Sequence, residues 1–161
     1  MSAAVDVELL REVERFLYRE ARLADEHDYR GWEALWTDDG VYWVPAADTT
    51  DPHTQMSIIH DNRSRIGLRV RQLETGKRHS QAPPSRLRRM ISNVELLGEH
   101  DGDVLVGANF LVAESRERGV TLWAGRCEYR LRRLDGDWRM AAKTVLLVDA
   151  DRALYTLAFL I

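Results

Sequence analysis

The chain of 161 residues has one cysteine, Cys127, and only two lysines. One cysteine excludes an internal disulfide, an all-cysteine zinc site and an iron–sulfur cluster ligated by this chain alone. No run approaches the about 18 to 20 unbroken apolar residues that a membrane helix needs. The ten glycines stand singly, so no Gly-rich loop is present to cradle phosphates, and HExxH, GxSxG and CxxC are missing. The opening MSAAVDVELLREVERF carries acids where a signal peptide has a basic start and an apolar centre. The expectation is a cytoplasmic chain without a targeting segment, folded as a single domain over 1–161.

What is abundant is charge. Asp and Glu number 26 and Lys and Arg 23, for a net charge of −3. That small number conceals a strong asymmetry. Residues 1–60 hold 13 acidic and 5 basic side chains, residues 61–90 hold 2 and 9, and residues 91–161 hold 11 and 9. Arginine outnumbers lysine 21 to 2, and its planar fork suits bidentate carboxylate pairing and buried interfaces. The basic block has no interleaved aromatics and the pI is near 6.0, so no nucleic-acid partner is expected. A protein-facing or solvated arginine patch is the better reading.

Apolar residues Leu9, Leu10, Val13, Phe16, Leu17, Ala21 and Ala24 recur at three and four and predict an amphipathic helix over roughly 5–26. Asp28 can cap a second short helix with Trp32, Leu35 and Trp36 on its apolar face. Thr37-Asp38-Asp39-Gly40 reads as a breaker, and Val41–Val44 as a short strand closed by Pro45. Residues 46–56 read as a polar loop. Asp61 or Asn62 can cap a third helix carrying Ile66, Val70 and Leu73, with Gly76 near its end.

From Arg86 the period becomes two. Strands are predicted over 86–97, 104–117, 120–134 and 138–149, with Leu134-Asp135-Gly136-Asp137 as a hairpin turn. Helices first and an antiparallel meander after them make an α+β fold. A strongly curved, mixed but mostly antiparallel sheet, with the N-terminal helices packed in its concavity, buries both apolar faces. The apolar stretch 154–161 must pack into the core or against another chain. Partial burial in an interface is the favoured reading for Tyr155, Phe159 and Ile161, with an ordinary last strand as the alternative.

Several side chains have two readings. Asp25, Tyr29, Tyr42 and Trp123 are candidates to line a cavity in such a sheet, where a carboxylate of raised pKa serves as a general base. Filled cores are the default, in which case the aromatics fill the interior and Asp25 ends a helix. His60-Asp61 and His79 offer metal ligands but no converging triad. Cys127 alternates with Trp123 and Tyr129 on the inward face and reads as a small buried hydrophobe.

The segment EARLADEHDYRGWEALWTDDGVYWVP, the helix with Arg63, Leu68, Arg69 and Val70, and PPSRLRRMISNVEL together point to a family. Over roughly residues 8–161 the chain resembles the small (beta) subunit of Rieske-type aromatic-ring-hydroxylating dioxygenases. The resemblance implies the cystatin-like cone fold shared with nuclear transport factor 2, scytalone dehydratase and ketosteroid isomerase. It also implies a large alpha subunit as partner, a beta homotrimer and commonly an α3β3 assembly. The Rieske [2Fe-2S] cluster and the mononuclear non-haem iron would sit on the alpha subunit, with no cofactor or metal on this chain. The holoenzyme would use O2 and NAD(P)H to make a cis-dihydrodiol, and this chain would serve assembly. The Tyr-Trp-x-Pro strand followed by Ile-Ile is most similar to the branch that acts on benzoate and related aromatic acids. Arg63, Arg69, Arg86 and Arg89 are then interface candidates, with Arg86 or Arg89 paired to an acid across or beneath an interface. Two alternatives use the pocket reading: a stand-alone dehydratase or isomerase working with Asp25 and Tyr42, and a ligand-binding module without chemistry. Related cone folds also use a histidine, and no matching histidine stands out here.

Overall fold

The computed structural model describes residues 4–46, 57–75, 85–149 and 159–161. Helix α1 (Val7–Asp25) starts where the Asp6 carboxylate accepts the Leu9 N–H at 3.0 Å. It buries Val13, Phe16, Leu17, Ala21 and Ala24, the stripe that its spacing predicts. Asp28 caps the short α2 (Tyr29–Glu33) by accepting from the Gly31 N–H at 2.9 Å. Helix α3 (Arg63–Glu74) is capped by Asn62, not Asp61. Asp61 instead turns to Arg69, whose Nε lies 2.6 Å from its Oδ2.

Six strands form one sheet: β1 (Trp36–Pro45), β2 (Ser57–Asp61), β3 (Arg86–His100), β4 (Asp103–Arg116), β5 (Gly119–Leu134) and β6 (Asp137–Leu147). Their order is β2-β1-β6-β5-β4-β3. β3 to β6 are a meander, β2 is antiparallel to β1, and β1 joins β6 in parallel. This is the expected α+β architecture, mixed and mostly antiparallel, with α1 lying in the concave face. The turns Asp101-Gly102 and Asp135-Gly136 have positive φ at both residues (50° and 82°, 51° and 83°), the backbone that matches the twist of a two-residue hairpin.

Two local expectations need correction. Thr37–Gly40 does not break the chain. Trp36 sits opposite Met140 and Val41 opposite Ala142, so four residues of β1 face one of β6. The excess is thrown out as a bulge, braced by Thr37 Oγ1 donating to Asp39 at 2.7 Å and by Arg132 reaching the same carboxylate at 3.0 Å. Gly40 is needed there, because a Cβ would stand 2.7 Å from the Trp36 ring. In β3, two residues, Asn93 (φ 52°) and Val94, face Ala108 alone. The inward parity therefore changes from Leu87, Arg89 and Ile91 to Val94 and Leu96.

One hydrophobic cluster runs from α1 through Trp32, Leu35, Ile66 and Val70 to the inner residues of β4, β5 and β6. Phe159, Leu160 and Ile161 belong to it and are buried. Among the described residues no helix is long and apolar enough to cross a membrane.

Candidate functional site

The concave face carries charge in an otherwise apolar interior. Glu20 lies on the buried stripe of α1, a turn beyond Phe16 and Leu17. Lys143 occupies an inward position of β6 between Ala141 and Val145. Lys143 Nζ and Glu20 Oε1 are 2.5 Å apart, with both side chains almost wholly buried. The same oxygen accepts the Trp32 indole N–H at 3.1 Å, while Oε2 receives no hydrogen bond. The ammonium also stands 5.9 Å from the Tyr42 ring centroid and 5.8 Å from that of Tyr129.

A second pair closes the end of α1. Asp25, its last residue, accepts the Arg89 main-chain N–H at 2.9 Å and its Nε–H at 2.7 Å. The Arg89 Nη2 donates to the Leu160 carbonyl at 2.7 Å. The Tyr42 hydroxyl donates to the Ile161 carbonyl at 2.7 Å and accepts the Ile161 N–H at 3.0 Å. Phe159 meets Trp123 edge-on with centroids 5.6 Å apart.

The electrostatics follow from these contacts. Burial pushes the Glu20 carboxyl up, but Lys143, Arg89 and the Lys143 and Trp32 hydrogen bonds outweigh it and hold the carboxyl below its ordinary value. Burial pushes Lys143 down, and Glu20 with the neighbouring Cys127 and Tyr42 raises it above the ordinary ammonium value. Burial raises the Tyr42 and Tyr129 phenols and the Cys127 thiol. The pair is therefore a carboxylate facing an ammonium, lined by neutral hydroxyl and thiol groups.

Three of the four pocket candidates, Asp25, Tyr42 and Trp123, gather around residues 159–161, and Tyr29 lies apart. Asp25 is occupied by Arg89, and Tyr42 by the Ile161 main chain. The Trp123 indole donates to Glu114 at 3.1 Å, and Glu114 also accepts from Ser85 and Arg116. Tyr29 is half-buried elsewhere. Its hydroxyl lies 3.0 Å from His27 Nδ1, and His27 Nε2 lies 2.8 Å from the Ser85 carbonyl. A carbonyl only accepts, so Nε2 carries a proton, and in the neutral ring Nδ1 then accepts from Tyr29.

The interface candidates divide as well. Arg63 reaches Glu33 at 3.3 Å and Arg69 reaches Asp61, both within the chain. Arg86 is exposed at the start of β3. Arg89 is spent inside on Asp25. Tyr155 lies outside the described residues. Phe159 and Ile161, expected at an interface, are 4% and 1% exposed. They pack in the chain's own concavity because Trp123 receives the ring and Arg89 and Tyr42 satisfy the main chain.

The Glu20–Lys143 pair and the Glu114 hub were missed from sequence. A charged residue at an inward parity position of a strand, and another on the buried stripe of a helix, were the available signals. Among the described residues no three His, Cys, Asp or Glu side chains gather as a metal site, and the donor set fits neither a Rieske cluster nor a facial iron triad.

The comparisons agree with this architecture. Residues 19–151 match the model of the ring hydroxylating beta subunit family. The chain is 33% identical over 139 residues to the small oxygenase component of the p-cumate 2,3-dioxygenase system of Pseudomonas putida, covering 84% of this chain and 77% of that one. It superposes on the beta subunit of the benzoate 1,2-dioxygenase of Burkholderia mallei with a TM-score of 0.78, at 24% identity, over 99% of this chain and 100% of that one. It superposes on a naphthalene 1,2-dioxygenase chain with a TM-score of 0.84, at 18% identity, over 98% and 88% of the two chains. The fold is the cone of the nuclear transport factor 2-like proteins, and the chain belongs to the ring-hydroxylating dioxygenase beta subunits.

Proposed function

We propose that this chain is the non-catalytic assembly subunit of a cytoplasmic dioxygenase, folded as one domain. In this reading the large alpha subunit holds the Rieske cluster and the mononuclear iron. Electrons from NAD(P)H arrive there, both atoms of O2 enter an aromatic ring, and a cis-dihydrodiol leaves. The beta chains form a trimer that organises an α3β3 complex. An aromatic acid is the proposed substrate class, since p-cumate and benzoate, named for two of the relatives, are both ring carboxylates.

One observation carries the reading. The interior acids and bases on which a cone-fold enzyme would draw are committed to fixed partners: Glu20 to Lys143, Asp25 to Arg89, and Tyr42 to the Ile161 main chain. A general base needs a lone pair facing substrate. Both Asp25 oxygens instead face Arg89, which stays charged at every working pH.

The test is co-expression with the large oxygenase component. Iron is expected to follow the large chain, and this chain alone is expected to purify colourless. Tyr42→Phe, in the assembled complex, should leave turnover of benzoate-class substrates within about twofold of the unaltered enzyme. A fall of tenfold or more in kcat, with complex mass and iron content intact, would favour the alternative in which Tyr42 acts chemically.

A further inference from the structure

Among the described residues four buried side-chain polar atoms lack a hydrogen-bond partner: Glu20 Oε2, Trp36 Nε1, Arg116 Nη2 and Arg130 Nε. Glu20 Oε2 differs from the other three. It is the acceptor of the set, and its side chain is 1% exposed, whereas the two guanidiniums reach solvent through their other atoms and the indole is neutral. A buried ion pair is stable only where the lone pairs and protons left over from the pair itself are also satisfied. Both sides of this pair have some left over. Lys143 carries three N–H donors, and among the described residues Glu20 Oε1 is the acceptor that one of them meets.

The neighbouring groups decide what can fill these valences. The Tyr42 hydroxyl is used in both directions by the Ile161 main chain, the Trp32 indole N–H by Glu20 Oε1, and the Arg89 guanidinium by Asp25 and the Leu160 carbonyl. Tyr129 lies opposite Lys143 in the register of β5 and β6, and its hydroxyl is hydrogen-bonded to the Cys127 thiol. A phenol oxygen in that position can still accept. The inward residues next in position are short: Ala21 and Ala24 on α1, and Cys127 with Ala108 across from it on the sheet. A cation there would face the ammonium and an anion would face the carboxylate. A small neutral molecule that both donates and accepts meets every demand, and water needs only two to four such partners and little room.

We infer that Glu20 Oε2 and Lys143 together bind a buried water molecule between α1 and the sheet, beside Tyr129 and Cys127. The water donates one hydrogen to Oε2, accepts a second N–H of Lys143, and turns its other hydrogen to the Tyr129 oxygen. It completes the hydrogen bonding that lets a carboxylate and an ammonium stay ionised inside the cone. The inference concerns this chain alone and is independent of the assembly reading.

A high-resolution crystal structure of the full, unaltered chain tests it. A solvent peak is expected at about 2.5–3.0 Å from Glu20 Oε2, within hydrogen-bond reach of Lys143 Nζ and without the anomalous signal of a metal. The same water is expected in solution, as a nuclear Overhauser effect between a long-lived water and the indole N–H proton of Trp32, which points at the other oxygen of that carboxylate. Neither measurement depends on a variant that could fail to fold. Both carboxylate oxygens closed on Lys143 with no solvent peak between them overturns the inference. So does a metal ion at the site, or a Trp32 indole proton with no contact to a long-lived water.

Discussion

The guanidinium of Arg89, on an edge strand, reaches across the sheet's concave face and closes on the last carboxylate of α1, Asp25, at 2.7 Å. The residues lie 64 positions apart in sequence, and the contact ties the first helix to β3. The next nitrogen of the same side chain holds the Leu160 carbonyl. One arginine thus joins three separate segments.

Removing one partner of this buried pair leaves the other as an uncompensated charge. Asp25→Ala should lower unfolding stability by about 3–5 kcal/mol. The loss would appear in urea unfolding followed by tryptophan fluorescence. Amide exchange of Ile161 should accelerate along with it, because the arginine that holds the carbonyl of the same peptide unit, that of Leu160, is no longer held itself. Unchanged exchange there would contradict the link.

The Glu20–Lys143 pair sets two pH limits. Glu20 is held below its ordinary value, so its contribution is present above about pH 4.5 and fades as pH falls through the lower folded value. Lys143 is raised, so its contribution is present below about pH 10.5 and fades as pH rises through the higher folded value. Lys143→Met leaves a buried carboxylate without its cation, at a cost of about 3–5 kcal/mol. In that variant Glu20 gains from protonation, so stability should rise between about pH 7 and about pH 5, while the unaltered chain stays flat or declines. Denaturant midpoints at the two pH values measure the sign.

Asp39 and Asp103 share Arg132 and differ in exposure. Asp103 is 2% exposed at its side chain and accepts from both Arg130 and Arg132, whereas Asp39 is 68% exposed. Asp39→Asn should cost about 0.2–1 kcal/mol and less in high salt. Asp103→Asn should cost more and resist salt, because its two guanidiniums lose a buried counter-charge. Thermal melts with and without added salt compare the two.

Two glycines on β4 and β5 should respond differently to alanine. A Cβ at Gly125 would collide with the Leu146 carbonyl, a backbone group of the paired strand. At Gly107 it would meet the far end of the Arg126 side chain, which can swing away. Gly125→Ala should lower the melting temperature by several degrees, and Gly107→Ala should be nearly silent.

Cys127 should be inert to thiol reagents in the folded protein and react on unfolding. It is 3% exposed and burial raises its pKa, so little thiolate is present and reagent has no access. Labelling kinetics across a denaturant series test this, and rapid labelling under native conditions would contradict it.

Features coded by neighbours in sequence were legible in advance. The stripe Val13, Phe16, Leu17, Ala21 gave α1 nearly to the residue, and Asp135-Gly136 gave a hairpin because those two residues accept positive φ. The inward set Trp123, Cys127, Tyr129 and Leu131 followed from alternation alone. Features coded by distant partners were not legible. Thr37–Gly40 looks like a break until β6 is set beside it and the surplus residues become a bulge. Ser57–Asp61 shows little strand pattern and pairs only because Trp43 and Val44 lie beside it. The candidate site divided in the same way. Asp25 and Tyr42 were singled out by residue type, while the groups that occupy them, Arg89 and the Ile161 main chain, arrive from 64 and 119 positions away.

The parallel pairing of β1 with β6 has a consequence for synthesis. The strand at residues 36–45 has one hydrogen-bonding neighbour close by, at residues 57–61, but the strand that joins it to the meander comes only at residues 137–147, about a hundred positions later on the ribosome. During that interval β1 and β2 stay apart from the meander, while α1 can already meet β3. Closure of so long a loop favours slow maturation. Recruitment of a partner before Leu147 has emerged would meet an unfinished sheet.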